Sequence, residues 1–155
     1  MKNTSMRFLK SSETSIISEI AEWCFNEWET PKEKTIKRLQ SLPSDNVLAQ
    51  VIVEIEDKLV STGSLCLDPN IFNSHPHLKQ YNPWITMLIT DVNQRRNGIG
   101  ADVLNGLERA ARTSGYKSVY LATATAESLY QKCGYHTFDT VFYKGFDTVI
   151  MKKII

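Results

Sequence analysis

The sequence predicts a mixed α/β domain, with a central sheet of about six to seven strands covered by helices on both faces. A strand, a loop, a helix and a second strand follow one another over Trp84–Ala122, which implies two parallel strands joined by a crossover. Apolar segments on either side of this unit are joined by short turns, which is typical of antiparallel pairing. The predicted helices and strands are separated by short clusters of helix- and strand-breaking residues and not by linkers. We therefore expect one domain over residues 1–155.

The chain begins with a predicted strand and an amphipathic helix. Met6–Lys10 is the short apolar strand, and Ser11–Ser12 can cap the helix that follows. Apolar residues then recur at helical spacing over Ile17–Trp28. The helix should end near Thr30, because Pro31 disfavours helical geometry at the residue before it.

A second helix and a hairpin come next. The helix is predicted over Lys32–Leu42, with Thr30 as its cap, and it is mostly polar. Val47–Ile55 is almost continuously apolar and β-branched, which favours a strand. Glu56–Lys58 is then a turn and Leu59–Leu67 the antiparallel partner.

The rest of the chain alternates strands and helices after a long irregular segment, Asp68–Pro83. Long loops in compact domains are usually functional or mobile. The most regular helix is Gly98–Ser114, whose buried stripe contains Ile99, Val103 and Leu107. The other predicted elements are the strands Trp84–Thr90, Ser118–Ala122, Tyr135–Tyr143 and Phe146–Lys152 and the helix Ala126–Cys133.

Composition excludes several classes of protein. Hydrophobic residues make up 42% and charged residues 23%, as in ordinary globular domains. A net charge of +1 gives no reason to expect a nucleic acid or an anionic membrane as partner. No apolar run is long enough to span a membrane, and the N-terminal segment lacks the apolar core of a signal peptide, so a cytoplasmic location is expected. Cys24, Cys66 and Cys133 are odd in number and far apart, which indicates neither a disulfide framework nor a metal site.

The loop Arg95–Gly100, between a strand and a helix, is the strongest functional signal. Gly98 and Gly100 let a ligand approach the backbone, and free N–H groups at a helix start form an anion site. Arg95 and Arg96 add two positive charges. We therefore predict that this loop binds a pyrophosphate.

Two common phosphate motifs do not fit this loop. A dinucleotide fingerprint requires a third glycine where Val103 stands, and a Walker loop requires glycine, lysine and Ser/Thr at Val103–Asn105. The remaining pattern, Arg-x-x-Gly-x-Gly, resembles the acyl-coenzyme A loop of the GNAT superfamily of N-acetyltransferases. Ser128–Tyr135 (SLYQKCGY) is similar to a late signature of that family, and Pro83-Trp84 with Asp68 upstream resembles a bacterial branch of it. The predicted element order is also that of the family, which implies its fold.

The resemblance implies an acetyl-coenzyme A-dependent N-acetyltransferase that uses direct attack, without a covalent enzyme intermediate. A main-chain N–H on the strand near Leu88–Thr90 should polarise the thioester carbonyl. Many members contact the pantetheine through an asparagine just after the strand that ends at Ala122. This chain has Thr123-Ala124-Thr125 there, and Thr125 is the expected substitute, while Lys132 is expected on the adenosine side. The donor site is therefore predicted to comprise Leu88, Ile89, Thr90, Arg95, Arg96, Asn97, Gly98, Ile99, Gly100, Ala101, Thr125 and Lys132.

Tyr130 stands at the family's general-acid position. A phenol can protonate the departing thiolate, although an ordinary structural aromatic is the alternative. The resemblance favours Asp68 as either a base or an amine-binding carboxylate, and further base candidates are His75, His77, Glu27 and Asp91. His75 and His77 without a third ligand make a poor metal site, so no metal is expected.

The amine acceptor should bind between the first two helices, the Asp68–Pro83 loop and the final hairpin. Aromatic rings together with carboxylates suit a cationic amine, although a tryptophan can equally fill core. The residues predicted to contact the acceptor are Glu27, Trp28, Tyr81, Trp84 and Tyr143.

The sequence thus predicts acetyl transfer from acetyl-coenzyme A to the primary amine of a small molecule or peptide. Three alternatives stay open: transfer of a longer acyl group, a domain that binds acyl-coenzyme A without turnover, and a generic nucleotide-phosphate binder. The expected partners are acetyl-coenzyme A and an amine, and the protein is expected to be a monomer or a homodimer.

Overall fold

In the computed structural model, which describes residues 3–155, seven strands form a sheet on which four α-helices pack. The strands are β1 (Thr4–Phe8), β2 (Val47–Ile55), β3 (Lys58–Cys66), β4 (Trp84–Thr90), β5 (Ser118–Thr123), β6 (His136–Tyr143) and β7 (Phe146–Ile154). The helices are α1 (Thr14–Trp28), α2 (Lys32–Gln40), α3 (Ile99–Thr113) and α4 (Glu127–Lys132). The predicted mixed sheet with helices on both faces is confirmed, and the element order is the predicted one.

The strands lie in the order β1-β2-β3-β4-β5-β7-β6. Neighbouring strands are antiparallel apart from β4 and β5, which are parallel and pair at Trp84 and Tyr120. In β4 the register against β3 shifts, and Met87 adopts a positive φ of 56°. Such a bulge bends a strand and increases its twist. Beyond Trp84, β4 and β5 therefore diverge and leave a fork in the middle of the sheet.

The two faces of the sheet bury separate apolar clusters. One face is covered by α3, whose Val103, Leu107 and Ala111 are fully buried and pack on β2, β3, β5 and β7. The other face is covered by α1 and α2 through residues such as Ile20 and Leu39. Two 3₁₀ turns within the Asp68–Pro83 segment, at Asn70–Asn73 and Pro76–Gln80, cover the remainder of this face.

The predicted helix caps were wrong at α1 and α2. At α1 the N-cap is Glu13 rather than a serine, and its carboxylate accepts from the Arg7 guanidinium at 2.6 Å and from the Lys10 N–H at 2.7 Å. The Arg7 hydrogen bond also lowers the pKa of Glu13. At α2 the N-cap is Pro31, and Thr30 makes no capping bond. The ion pair between β1 and α1 is a tertiary contact, which local capping preferences do not reveal.

Within residues 3–155, none of the helices combines the length and the apolar character needed to cross a membrane. The described residues also contain no group of three or more His, Cys, Asp or Glu side chains that could hold a metal ion.

Candidate active site

The fork between β4 and β5 is the centre of the candidate site. Leu88, Ile89 and Thr90 follow the bulge and are partly exposed. Since the recorded β4–β5 pairing is confined to Trp84 and Tyr120, the β5-facing edge of the later β4 residues has no ladder partner in β5. Unpaired backbone groups at such an edge are available to a ligand.

The loop after β4 is pinned to the end of that strand. The Asp91 carboxylate accepts from the Asn93 N–H at 3.0 Å, and Arg95 Nε donates to the Thr90 carbonyl at 3.0 Å. Arg96 and Gly98 adopt left-handed backbone conformations, with φ of 68° and 77°. These two positions turn the chain so that α3 starts at Ile99 with its free N–H groups beside both exposed arginines.

The two glycines of this loop have different reasons to be glycine. Gly98 needs its positive φ, which side chains disfavour. Gly100 has an ordinary φ, and a Cβ there would lie 3.7 Å from Thr90 Oγ1, an ordinary contact. The fold itself therefore tolerates a Cβ at Gly100, and the space beside it is open to a ligand. The last residue of the predicted set here, Ala101, is exposed in the first turn of α3.

Tyr130 lies on α4 and packs against the same apolar cluster as Leu88. Its ring stands edge-on to Tyr135, with centroids 6.0 Å apart. Burial raises the pKa of Tyr130 to about 12, so the phenol is protonated at neutral pH. Within residues 3–155 its hydroxyl has no recorded hydrogen-bond partner, which leaves the proton free for a ligand.

Thr123 holds the loop that precedes α4. Its Oγ1 accepts from the Ala126 N–H at 3.0 Å and from the Thr125 N–H at 3.4 Å. Thr125 itself is exposed in this loop, and Lys132 is exposed in the last turn of α4. Both predicted donor contacts thus lie at the surface on the α4 side of the fork.

A buried triad anchors the segment after α4. Glu108 is 2% exposed; its carboxylate accepts from the Tyr135 hydroxyl at 2.7 Å and from Lys153 Nζ at 3.0 Å. Burial and then the Glu108 carboxylate raise the pKa of Tyr135, so that its phenol stays a donor. Because the Tyr135 N–H also bonds to the Tyr130 carbonyl, the triad fixes the end of the helix that carries Tyr130.

A cleft of about 280 Å³ opens on the α1/α2 face of the fork, at the place predicted for the acceptor. Thr86 and Met87 of β4 and Ala122 of β5 line it at the sheet. The predicted residues Trp28, Trp84, Tyr143 and Asp68 also line it. Trp84 is 1% exposed and packs on Phe72 and Tyr120, whereas Trp28 is 43% exposed.

Other predicted residues lie outside this lining. Glu27 is exposed on α1, and Tyr81 instead packs on Tyr120 and Phe138, with centroids 5.2 and 5.0 Å away. Of the base candidates, His77 pairs with Asp139 at 3.1 Å, and His75 stands edge-on to Tyr143 at 6.1 Å between centroids.

Three cations of the cleft were missed by the sequence analysis: Lys34 and Arg38 of α2, and Lys144 in the β6–β7 turn. Lys34 and Arg38 are four residues apart and therefore share a helix face. That spacing was readable from the sequence, but the direction of the face depends on how α2 packs. Arg38 Nη2 lies 3.3 Å from Asp68 Oδ1.

Cys24 also lines the cleft. Burial raises the pKa of its thiol to about 11, so the thiolate needed for nucleophilic attack is scarce at neutral pH. A buried thiol that stays protonated therefore gives no support to an acyl-cysteine intermediate.

A model of the Acetyltransferase (GNAT) family matches residues 14–135 of the chain. No curated protein gives a significant match to the sequence.

Solved structures of similar fold cover nearly the whole chain. An aminoglycoside 6′-N-acetyltransferase complexed with coenzyme A has a TM-score of 0.77 and 14% identity, covering 97% of this chain and 96% of its own. Ard1 from Thermoplasma volcanium has a TM-score of 0.73 and 15% identity, covering 98% and 97%. A spermidine N-acetyltransferase chimera from Vibrio cholerae and hSSAT has a TM-score of 0.69 and 15% identity, covering 97% and 94%.

Proposed function

Because the chain belongs to the Acetyltransferase (GNAT) family, whose acyl donor is acetyl-coenzyme A, we propose that it transfers the acetyl group to a primary amine of a small molecule or peptide. The observation that carries the proposal is the fork between β4 and β5. The arginine–glycine loop continues from the end of β4, and a cleft opens beside the fork on the α1/α2 face. Donor and acceptor can therefore meet at one break in the sheet. Residues 1–155 act in this proposal as one catalytic domain.

The pyrophosphate of the donor is held by positive charge and by backbone N–H groups. Arg95 and Arg96 and the N–H groups of Asn97–Ala101 bind the pyrophosphate, and Gly100 allows it to approach the backbone. The pantetheine then runs into the fork, where backbone N–H groups of Leu88–Thr90 polarise the thioester carbonyl. Thr125 and Lys132 contact the donor from the α4 side.

In the reaction, the amine nitrogen forms a bond to the acetyl carbon and the carbon–sulfur bond breaks. Asp68 binds the incoming ammonium group, whose proton passes to solvent before attack. Tyr130 gives its phenolic proton to the departing thiolate and is reprotonated by solvent, and solvent also takes the second proton that the nitrogen loses as the amide forms. Trp28, Trp84 and Tyr143 enclose the acceptor and help to position it, which supplies much of the rate enhancement.

The proposal is tested by following the release of free thiol from acetyl-coenzyme A in the presence of primary amines. We expect release that depends on both the protein and the amine, with an N-acetylated product detected by mass spectrometry. If acetyl-coenzyme A binds but no amine in a broad panel is acetylated, the chain is a binding domain and the proposal is wrong. If ATP competes fully with acetyl-coenzyme A for the loop, a generic phosphate binder is the better description.

A further inference from the structure

The charges of the acceptor cleft carry information about its ligand. Lys34 Nζ lies 3.4 Å from Asn70 Oδ1, and Arg38 Nη2 lies 3.3 Å from Asp68 Oδ1. The shared face of α2 thus presents both cations toward the loop that follows β3. Their neighbours Glu33 and Lys37 are exposed and do not line the cleft.

A third cation faces the same cleft from the β6–β7 turn. Lys144 Nζ lies 5.3 Å from the centroid of the Tyr143 ring, which also lines the cleft. Among the described residues that line the cleft, Asp68 is the one carboxylate. Glu27 on α1 and Glu29 directly after this helix are exposed and do not line the cleft. Within residues 3–155, Lys34 and Lys144 of the cleft are therefore left without an acidic partner.

This distribution differs from what a polycationic acceptor requires. An amine with several ammonium groups would meet two uncompensated cations at the rim of the cleft and a single carboxylate, Asp68, inside it, so the charges of the cleft do not complement a polycation. An acceptor with one amine and one anionic group would match the cleft. Its amine would lie at Asp68 and its anionic group between Lys34 and Lys144, both exposed at the rim.

Resting on the function proposed above, we infer that the acceptor is a primary amine that also carries an anionic group, a carboxylate or a phosphate. Lysine supplies a point charge for either anion, and the Arg38 guanidinium beside Asp68 keeps that carboxylate in place for the amine. Lys34 and Lys144 are thus specificity-determining residues.

The test compares acceptors that differ in the anionic group alone. Standard amino acids are assayed against their carboxamides, and glucosamine 6-phosphate against glucosamine, with spermidine and kanamycin as polycations. We expect the kcat/KM of the preferred anionic acceptor to exceed that of its neutral partner by about tenfold or more, which is the size of one charge-assisted contact. The amino-acid and sugar-phosphate arms distinguish a carboxylate from a phosphate.

Charge reversal on α2 provides the matched control. Lys34→Glu should lower kcat/KM for the anionic acceptor about tenfold and leave the affinity for acetyl-coenzyme A unchanged. Lys37→Glu makes the same charge change on the outer face of the same helix and should have little effect.

The two proposals fail in different ways. Preference for spermidine, kanamycin or the neutral partners would overturn the anionic acceptor and leave acetyl transfer intact. Equal effects of Lys34→Glu and Lys37→Glu would also overturn it. Binding of acetyl-coenzyme A without acetylation of any amine would overturn the proposed function and this inference together.

Discussion

Replacing Tyr130 by phenylalanine should lower kcat by about 10²–10⁴-fold, the usual contribution of a positioned general acid. The ring and its edge-on contact with Tyr135 remain, so the fold and the affinity for acetyl-coenzyme A should not change. Stopped-flow or steady-state thiol release, with calorimetry of donor binding on the same preparation, measures both quantities.

The pH dependence gives a second measurement on the same residue. Because burial raises the pKa of Tyr130 to about 12, its acid form persists at every pH below that value. The activity of the intact protein should therefore rise with pH as the amine deprotonates, without a fall from Tyr130 near its ordinary value of about 10. A Tyr130→Phe variant with unchanged kcat would show that this phenol is not the acid.

Replacing Lys153 by methionine should lower the free energy of unfolding by about 3 kcal/mol, because it leaves the Glu108 carboxylate buried without its cation. Glu108 is 2% exposed, so its carboxylate has little contact with water to offset the loss of Lys153. Urea unfolding of the variant measures the loss.

The double variant Lys153→Met/Glu108→Gln is the control. It removes the buried charge and keeps an acceptor for the Tyr135 hydroxyl, so most of the stability should return. If Lys153→Met alone is as stable as the intact protein, the triad does not hold the segment after α4.

The fold was predicted well from the sequence because the patterns that mark its helices and strands are local. Val47–Ile55 and Trp84–Thr90 have the predicted bounds, since each is an apolar β-branched or aromatic run between breakers. The hairpin between β2 and β3 was also predicted. Glu56 and Asp57 close it with φ of 51° and 64°, the left-handed geometry of a tight turn.

Features that depend on tertiary contacts could not be predicted in the same way. The bulge at Met87 places a non-glycine residue at positive φ, and nothing in the local sequence marks it. The N-cap residue of α1, Glu13, is held by Arg7 from a different element. The cations of the cleft were missed because the direction in which α2 presents Lys34 and Arg38 is set by the burial of Thr35 and Leu39 on its inner side.

The central claim is that the Arg95–Gly100 loop and the start of α3 bind the donor pyrophosphate. Calorimetric titration of acetyl-coenzyme A into the intact protein and into Gly100→Ala tests it most directly. We expect micromolar binding, about −8 kcal/mol, to the intact protein. Gly100→Ala should weaken binding about tenfold or more without lowering the melting temperature, because the added methyl fits the fold and obstructs only the ligand. Gly106→Ala, in the same helix but away from its start, should bind normally. Absence of binding to the intact protein, or equal affinity in Gly100→Ala, would contradict the assignment of the donor site.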